Sequence, residues 1–232
     1  MDTLHKKPLV VLLMGPTASG KTAFSLDLAE ALQTEIISVD SALVYREMDI
    51  GTAKPTQAET ARIPHHLIDI IDPSETYSTG QFRDQASLCI NNLIDRNKTP
   101  ILTGGTMLYF NSLTQGLAQL PPANAAIRAE LEQQMHSQGK LAMHEMLKQI
   151  DPDAAARIHM NDPQRIQRAL EVYRITGQPL SSFFNQAYES PYRFLKIIIS
   201  PVDRRVLHQR IEKRFHAMLK HGLIEEVSSL RN

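Results

Sequence analysis

The sequence predicts an α/β fold, a parallel sheet with flanking helices and an all-helical insertion, from three observations. The stretch Gly15-Pro-Thr-Ala-Ser-Gly-Lys-Thr22 fits G-x-x-x-x-G-K-[ST] and directly follows the apolar run Leu9 to Met14. That is the strand-then-helix setting a phosphate-cradling loop needs, and it makes the sheet P-loop NTPase-like. Short apolar runs then recur between segments of crossover length, as in a sheet buried on both faces. From Pro121-Pro122 the pattern turns helical, with no convincing strand until the chain returns to the sheet near residue 189.

The elements follow in order. Leu9 to Met14 reads as a buried strand, and the helix from Lys21 to about Leu32 points its positive end at the preceding loop. Ile36 to Val39, Leu67 to Ile71 and Pro100 to Thr103 read as further strands. Between them, Phe82, Ala86, Cys89 and Leu93 fall at helical spacing on an apolar face. Within the insertion, Asp151-Pro152 and Asp162-Pro163 each place a capping carboxylate before a proline at the first helical position. Gly177 closes the helix that carries Ile166, Leu170 and Tyr173 on one face, and Met135, Met143 and Met146 fall at core spacings. Phe194 to Ser200 reads as the fifth strand. Asp203 then caps a helix whose Leu207, Ile211, Phe215 and Met218 are expected to face the core, Gly222 breaks it, and Leu223 to Leu230 starts another. The predicted organisation is 1–118 for the first part of the α/β core, 119–188 for the helical insertion and 189–232 for the return, with no obvious closing element.

Composition bounds the function. A chain of 232 residues with 42% hydrophobic content can build a full core. No apolar stretch approaches the roughly 20 residues needed to span a bilayer, so a cytoplasmic location without membrane contact is expected. Cys89 is the single cysteine, which excludes a disulfide framework. Formal net charge is zero, which argues against a general polyanion coat, yet eight Lys/Arg stand against two Asp/Glu between Arg193 and Lys220. His65-His66 lacks Cys or His neighbours at ligand spacing and is a weak metal signal, so a structural or substrate-proximal role is expected.

The residues that carry chemistry sit after strands, where open α/β sheets place their ligands. Gly15, Pro16, Thr17, Ala18, Ser19, Gly20, Lys21 and Thr22 form a nucleotide- or diphosphate-binding loop, with Thr22 placed to ligate a Mg²⁺ shared with two phosphate oxygens. Asp40, leaving the second strand, is either a proton acceptor, a water-mediated Mg²⁺ ligand or a turn cap. Thr106 follows the paired glycines of Thr103-Gly-Gly-Thr106 and offers a hydroxyl at a helix start, for a ligand or for simple capping.

Taken with the string DSALVYREMDIGTAKPT from Asp40 to Thr56, and with PHHLID, TGGTMLYF and QRIQRALEVYRITG, the loop gives a chain that closely resembles the bacterial type of the tRNA dimethylallyltransferase (tRNA isopentenyltransferase) family over nearly its whole length. The resemblance implies transfer of a dimethylallyl group from dimethylallyl diphosphate to N6 of the adenosine 3′-adjacent to the anticodon, with Mg²⁺ as cofactor. It implies Asp40 as general base, Thr106 as an orienting hydroxyl and Arg214, rather than Arg210, on the leaving diphosphate. It also implies contacts to the tRNA anticodon stem-loop from Asp40, Ser41, Ala42, Leu43, Thr106, Arg128, Gln164, Arg165, Ile166, Gln167 and Arg168. Family members extend beyond the point corresponding to Asn232, and a monomer is expected. The loop alone favours an ATP-binding small-molecule or nucleotide kinase, against which stand the Asp40 to Thr56 string and the helical insertion. A nearer alternative is an adenylate isopentenyltransferase, and a noncatalytic RNA-binding protein would not require Lys21, Thr22 and Asp40 together.

Overall fold

A computed structural model of the chain describes residues 7–184 and 188–231. Residues 1–6, 185–187 and 232, which the expected N-terminal segment, insertion and return include, lie outside the described residues. The chain divides into two compact units, Met1–Gly116 with Glu189–Asn232, and Leu117–Tyr188.

The first unit is built on five parallel strands, β1 (Leu9–Met14), β2 (Ile36–Val39), β3 (His65–His66), β4 (Ile101–Gly104) and β5 (Arg193–Ile198), in the order β3-β2-β4-β1-β5. Alternation along each strand separates two apolar layers. Val10, Leu12, Ile37, Val39 and Leu102 pack against Phe82, Ala86, Ile90 and Leu93 of α3 (Thr79–Asp95) and Tyr109, Phe110 and Leu113 of α4 (Met107–Thr114). Val11, Ile36 and Ile101 face the other way, onto Leu26 and Ala29 of α1 (Lys21–Ala31) and onto Ile63, just past α2 (Gln57–Arg62). Side chains of a strand alternate between faces, so these near-continuous apolar runs are what burial on both sides demands. Phe82 and Tyr109 stack with ring centroids 4.2 Å apart. Cys89 packs at the edge of this layer, and burial pushes its thiol pKa up, which suits a core residue and not a nucleophile.

Two expectations need correction. Leu67 to Ile71 is not a strand: Leu67 and Asp69 take φ of 61° and 56°, which no extended strand accommodates. The sheet pairing is made instead by His65 and His66, and Ile71 keeps only an isolated bridge to Tyr45. The second concerns α8 (Arg204–Lys220), where no residue is buried; Ile211 is 37% and Phe215 51% exposed. Its amphipathic spacing is real, but the spacing is a local signal: Leu207 and Met218 are only half-buried, and Ile211 and Phe215 stay exposed. The neighbouring edge strand β5 is likewise open, with Ile198 73% exposed. Asp203 caps α8 by accepting from Arg205 N, and Gly222, at φ 97°, separates it from α9 (Leu223–Ser229).

The described part of the second unit is helical: α5 (Ala125–Ile150, bent at Gly139), α6 (Pro152–Arg157), α7 (Pro163–Thr176) and a 3₁₀ turn at Leu180–Phe184. Leu131, Met143, Leu147, Ile166, Leu170 and Val172 form its core, with Met135 and Met146 partly buried against it. Asp151 accepts from Ala154 N at 2.9 Å, and Asp162 from Arg165 N at 3.1 Å, while Gly177 ends α7 at φ 70°. Burial opposes the charge on Asp151, but hydrogen bonds from Ser181 and Ala154 hold its pKa below the usual range.

Candidate active site

The β1–α1 loop is shaped by contacts that admit only small residues. A Cβ on Gly15 would lie 2.1 Å from the carbonyl oxygen of Ile199, and Gly20, at φ 97°, begins α1 in a conformation glycine takes freely. Lys21 Nζ donates to the carbonyls of Gly15 and Pro16, each at 2.7 Å, so the ammonium is held over the loop. Burial lowers its pKa, Asp40 opposes that, and Arg214 reinforces it. Asp40 and Arg214 are therefore both near enough to act on the Lys21 ammonium.

They share a cavity of about 580 Å³ lined by residues Pro16 to Thr22, Asp40, Leu43, Gly104, Arg210 and Arg214. Asp40 leaves the carboxyl end of β2. Its Oδ1 accepts from Ala42 N at 2.8 Å and Leu43 N at 3.4 Å, the turn-capping geometry of an aspartate. Oδ2 has no hydrogen-bond partner among the described residues. The turn-cap alternative for Asp40 therefore holds for one oxygen, while the other is left over on a residue that lines the cavity.

Thr106 occupies the capping position of α4 without capping it; its Oγ1 accepts from Ser41 N at 3.1 Å and ties the β4 loop to the β2 loop. Ser41, Ala42 and Thr106 do not themselves line the cavity. Gly104 must be glycine, since a Cβ there would meet the Val39 carbonyl oxygen at 1.9 Å.

Several lining residues escaped the sequence reading. Ser38 lies on β2 two residues before Asp40, and its Oγ, like that of Ser19, is buried without a partner. Two orphan hydroxyls at a phosphate-type loop are what a ligand would satisfy. The signal for Ser38 was present: two residues apart on a strand means the same face. Thr52, Ala53 and Pro55 also line the cavity, from the long string that carried the resemblance. His65 did not escape: expected to be structural or substrate-proximal, it lines the cavity, with Nδ1 2.7 Å from the Ile63 carbonyl and a pKa lowered by burial. His66 instead pairs with Glu35, and no group of three His, Cys, Asp or Glu able to hold a metal occurs among the described residues.

The residues expected at an RNA surface in the helical unit separate into three kinds. Gln164 and Arg165 are exposed, and the Arg165 side chain pairs with Asp162. Ile166 is corrected: it is fully buried in the unit's core and cannot present its side chain to RNA. Arg128 and Arg168 both bind Glu171, which has no exposed surface; Arg128 does so through two nitrogens, and Arg168 Nη1 reaches Glu171 Oε2 at 2.6 Å. Burial works to raise the pKa of Glu171, but these guanidiniums and the Asn124 N–H outweigh it and hold it low. Gln167 Nε2 donates to the Arg128 carbonyl at 3.1 Å.

The IPP transferase family model matches residues 43–232. A tRNA dimethylallyltransferase from Nitrosococcus oceani is 56% identical over 226 residues, covering 97% of this chain and 72% of that protein. The full-length tRNA isopentenylpyrophosphate transferase of Bacillus halodurans aligns with a TM-score of 0.64 at 42% identity, over 97% of this chain and 70% of that one. A eukaryotic dimethylallyltransferase acting on tRNA aligns with a TM-score of 0.82 at 30% identity, over 97% of this chain and 56% of that one. With over half of its length matched by the family model and more than half of its residues identical to such a relative, the chain belongs to the tRNA dimethylallyltransferase (IPP transferase) family.

Proposed function

We propose that this chain transfers a dimethylallyl group from dimethylallyl diphosphate to N6 of the adenosine 3′-adjacent to the anticodon in tRNA, releasing diphosphate. The observation that carries the reading is a phosphate-type loop and a carboxylate with one unpartnered oxygen lining one cavity. The loop N–H groups, Lys21 and Arg214 bind the diphosphate and stabilise it as the allylic carbon–oxygen bond breaks. The amine N6 attacks that carbon, forming the new carbon–nitrogen bond. Its lone pair is delocalised into the ring, so loss of the N–H proton must accompany attack, and Asp40 Oδ2 accepts it. Thr106 holds the loop that carries Asp40 by accepting from Ser41 N.

The donor set fits Mg²⁺. Thr22 and the orphan hydroxyls of Ser19 and Ser38 are hard oxygen donors, and the lack of an acidic cage among the described residues suits an ion shared with substrate phosphates. When bound, Mg²⁺ held at Thr22 supplies charge neutralisation to the diphosphate oxygens. A cytoplasmic, monomeric enzyme is part of the same proposal, and no described helix is long and apolar enough to cross a membrane.

The test is direct. Protein, Mg²⁺ and labelled dimethylallyl diphosphate are incubated with tRNA or with AMP in separate reactions. Label should enter tRNA alone; label in AMP, or ATP hydrolysis with a phosphorylated metabolite, rejects the assignment. The exposed end of α7 gives a second expectation. Arg165→Ala should weaken tRNA binding and lower the slope of log affinity against log salt by about one, the loss of one phosphate contact, whereas Arg168→Ala also takes a partner from the buried Glu171, so its binding loss is read beside a thermal melt. An unchanged slope in filter binding across salt removes this helix from the interface.

A further inference from the structure

Three consecutive backbone N–H groups converge on one carboxylate far away in sequence. Asp49 N and Ile50 N donate to Glu226 Oε2 at 2.8 and 2.6 Å, and Gly51 N donates to Oε1 at 2.9 Å. Successive N–H groups aimed at one point make an anion-binding nest, and here an internal side chain fills it. The helix carrying Glu226 lies against the turn: a Cβ on Gly51 would sit 3.0 Å from Leu223 Cδ1.

The same turn forms part of the cavity wall. Thr52, Ala53 and Pro55 line it, Ala53 holds φ at 51°, and Ala53 N and Lys54 N return to the carbonyls of Ile50 and Asp49, each at 3.0 Å. On its opposite side, the Thr52 carbonyl accepts from Arg214 Nη2 at 3.2 Å. The turn is therefore clamped between an anion on its N–H side and a cation on its carbonyl side. Arg214 is a long side chain facing the cavity, and the Thr52 carbonyl restrains it before any ligand arrives. A guanidinium already ordered loses less rotamer freedom on binding an anion.

We infer that Glu226 is a positioning residue for the cradle: its carboxylate fixes the 49–53 turn so that the Thr52 carbonyl presents Arg214 to a bound diphosphate. The inference rests on the proposed diphosphate role of Arg214 and adds to it a residue of α9 that touches no substrate. Glutamine at this position cannot reproduce the clamp, since its NH₂ would face donors. Aspartate keeps the charge at shorter reach.

Calorimetric titration of inorganic diphosphate with Mg²⁺ tests it on the full chain, using wild type, E226Q, E226D, R214A and the E226Q/R214A double variant. E226Q should weaken binding about tenfold, E226D by less, and E226Q in the R214A background by under about twofold, the signature of coupled groups. In turnover assays E226Q should raise KM for dimethylallyl diphosphate by a similar factor, with kcat and the KM for tRNA within about twofold. Thermal melts establish that the variants are folded; if E226Q is not, E226D carries the same comparison. Unchanged binding in E226Q, or equal losses in both backgrounds, overturns the inference alone. Wild-type diphosphate affinity in R214A overturns both this inference and the proposed role of Arg214.

Discussion

Replacing Asp40 with asparagine should reduce kcat for prenyl transfer by about 10²–10⁴-fold, the range spanned by loss of a general base. Asparagine keeps the shape of the side chain, and its carbonyl can still accept from Ala42 N at the 2.8 Å position that Oδ1 occupies. What it loses is the proton acceptor at Oδ2. Because the turn survives, tRNA affinity should stay within a few-fold, and the loss should appear in kcat rather than KM. Asp40→Ala removes the turn cap as well, so a modest further loss of stability, about 1 kcal/mol, is expected beside the same catalytic defect. Single-turnover kinetics with saturating tRNA, read alongside tRNA binding, separate the two. Comparable losses of affinity and turnover would falsify the general-base role and leave Asp40 as a structural or binding residue.

What the sequence made legible was local. The glycine-bearing loop, the strands beside it and the three aspartate caps at Asp151, Asp162 and Asp203 are each decided within a few residues, and each stands where the pattern puts it. Leu67 to Ile71 failed because apolarity was read without the backbone. The chain turns at Leu67 and Asp69, both at positive φ, to bring Asp69 N and Ile70 N onto the carbonyls of Leu43 and Val44. The outward face of α8 failed for the opposite reason: its periodicity was right and its packing partner was assumed. Contacts distant in sequence were invisible altogether. Nothing in QRIQR announces that Arg168 spends its guanidinium on Glu171 and the Pro121 carbonyl, at 2.6 and 2.7 Å. Nor does the turn at Asp49 to Gly51 announce a carboxylate at position 226.

Acid should destabilise this fold through one residue more than any other that can be named. Glu35 is 6% exposed and accepts two nitrogens of Arg96 at 2.8 and 2.9 Å, Lys98 Nζ at 2.8 Å and His66 Nε2 at 2.8 Å. The Arg96 fork, aided by Lys98 and His66 and opposed by burial, pulls its pKa from an ordinary 4.5 to about 2. A carboxylate whose folded pKa is depressed stabilises the fold above its unfolded pKa, and that stabilisation is lost as pH falls through the folded value. The window therefore runs from about pH 5 to about pH 2, and the shift corresponds to about 3 kcal/mol. Urea denaturation across this range should show Glu35→Gln less stable than wild type at neutral pH, with the gap closing by about that amount as the solution is acidified. Parallel curves for the two proteins would mean that the cations around Glu35 contribute no net stabilisation. Because Glu35 immediately precedes β2, and its partners stand on β3, at the end of α3 and just before β4, its neutralisation loosens the near end of the strand that delivers Asp40 to the cavity. Activity already reduced at neutral pH in Glu35→Gln, where Asp40 is unaltered, is the functional counterpart to expect.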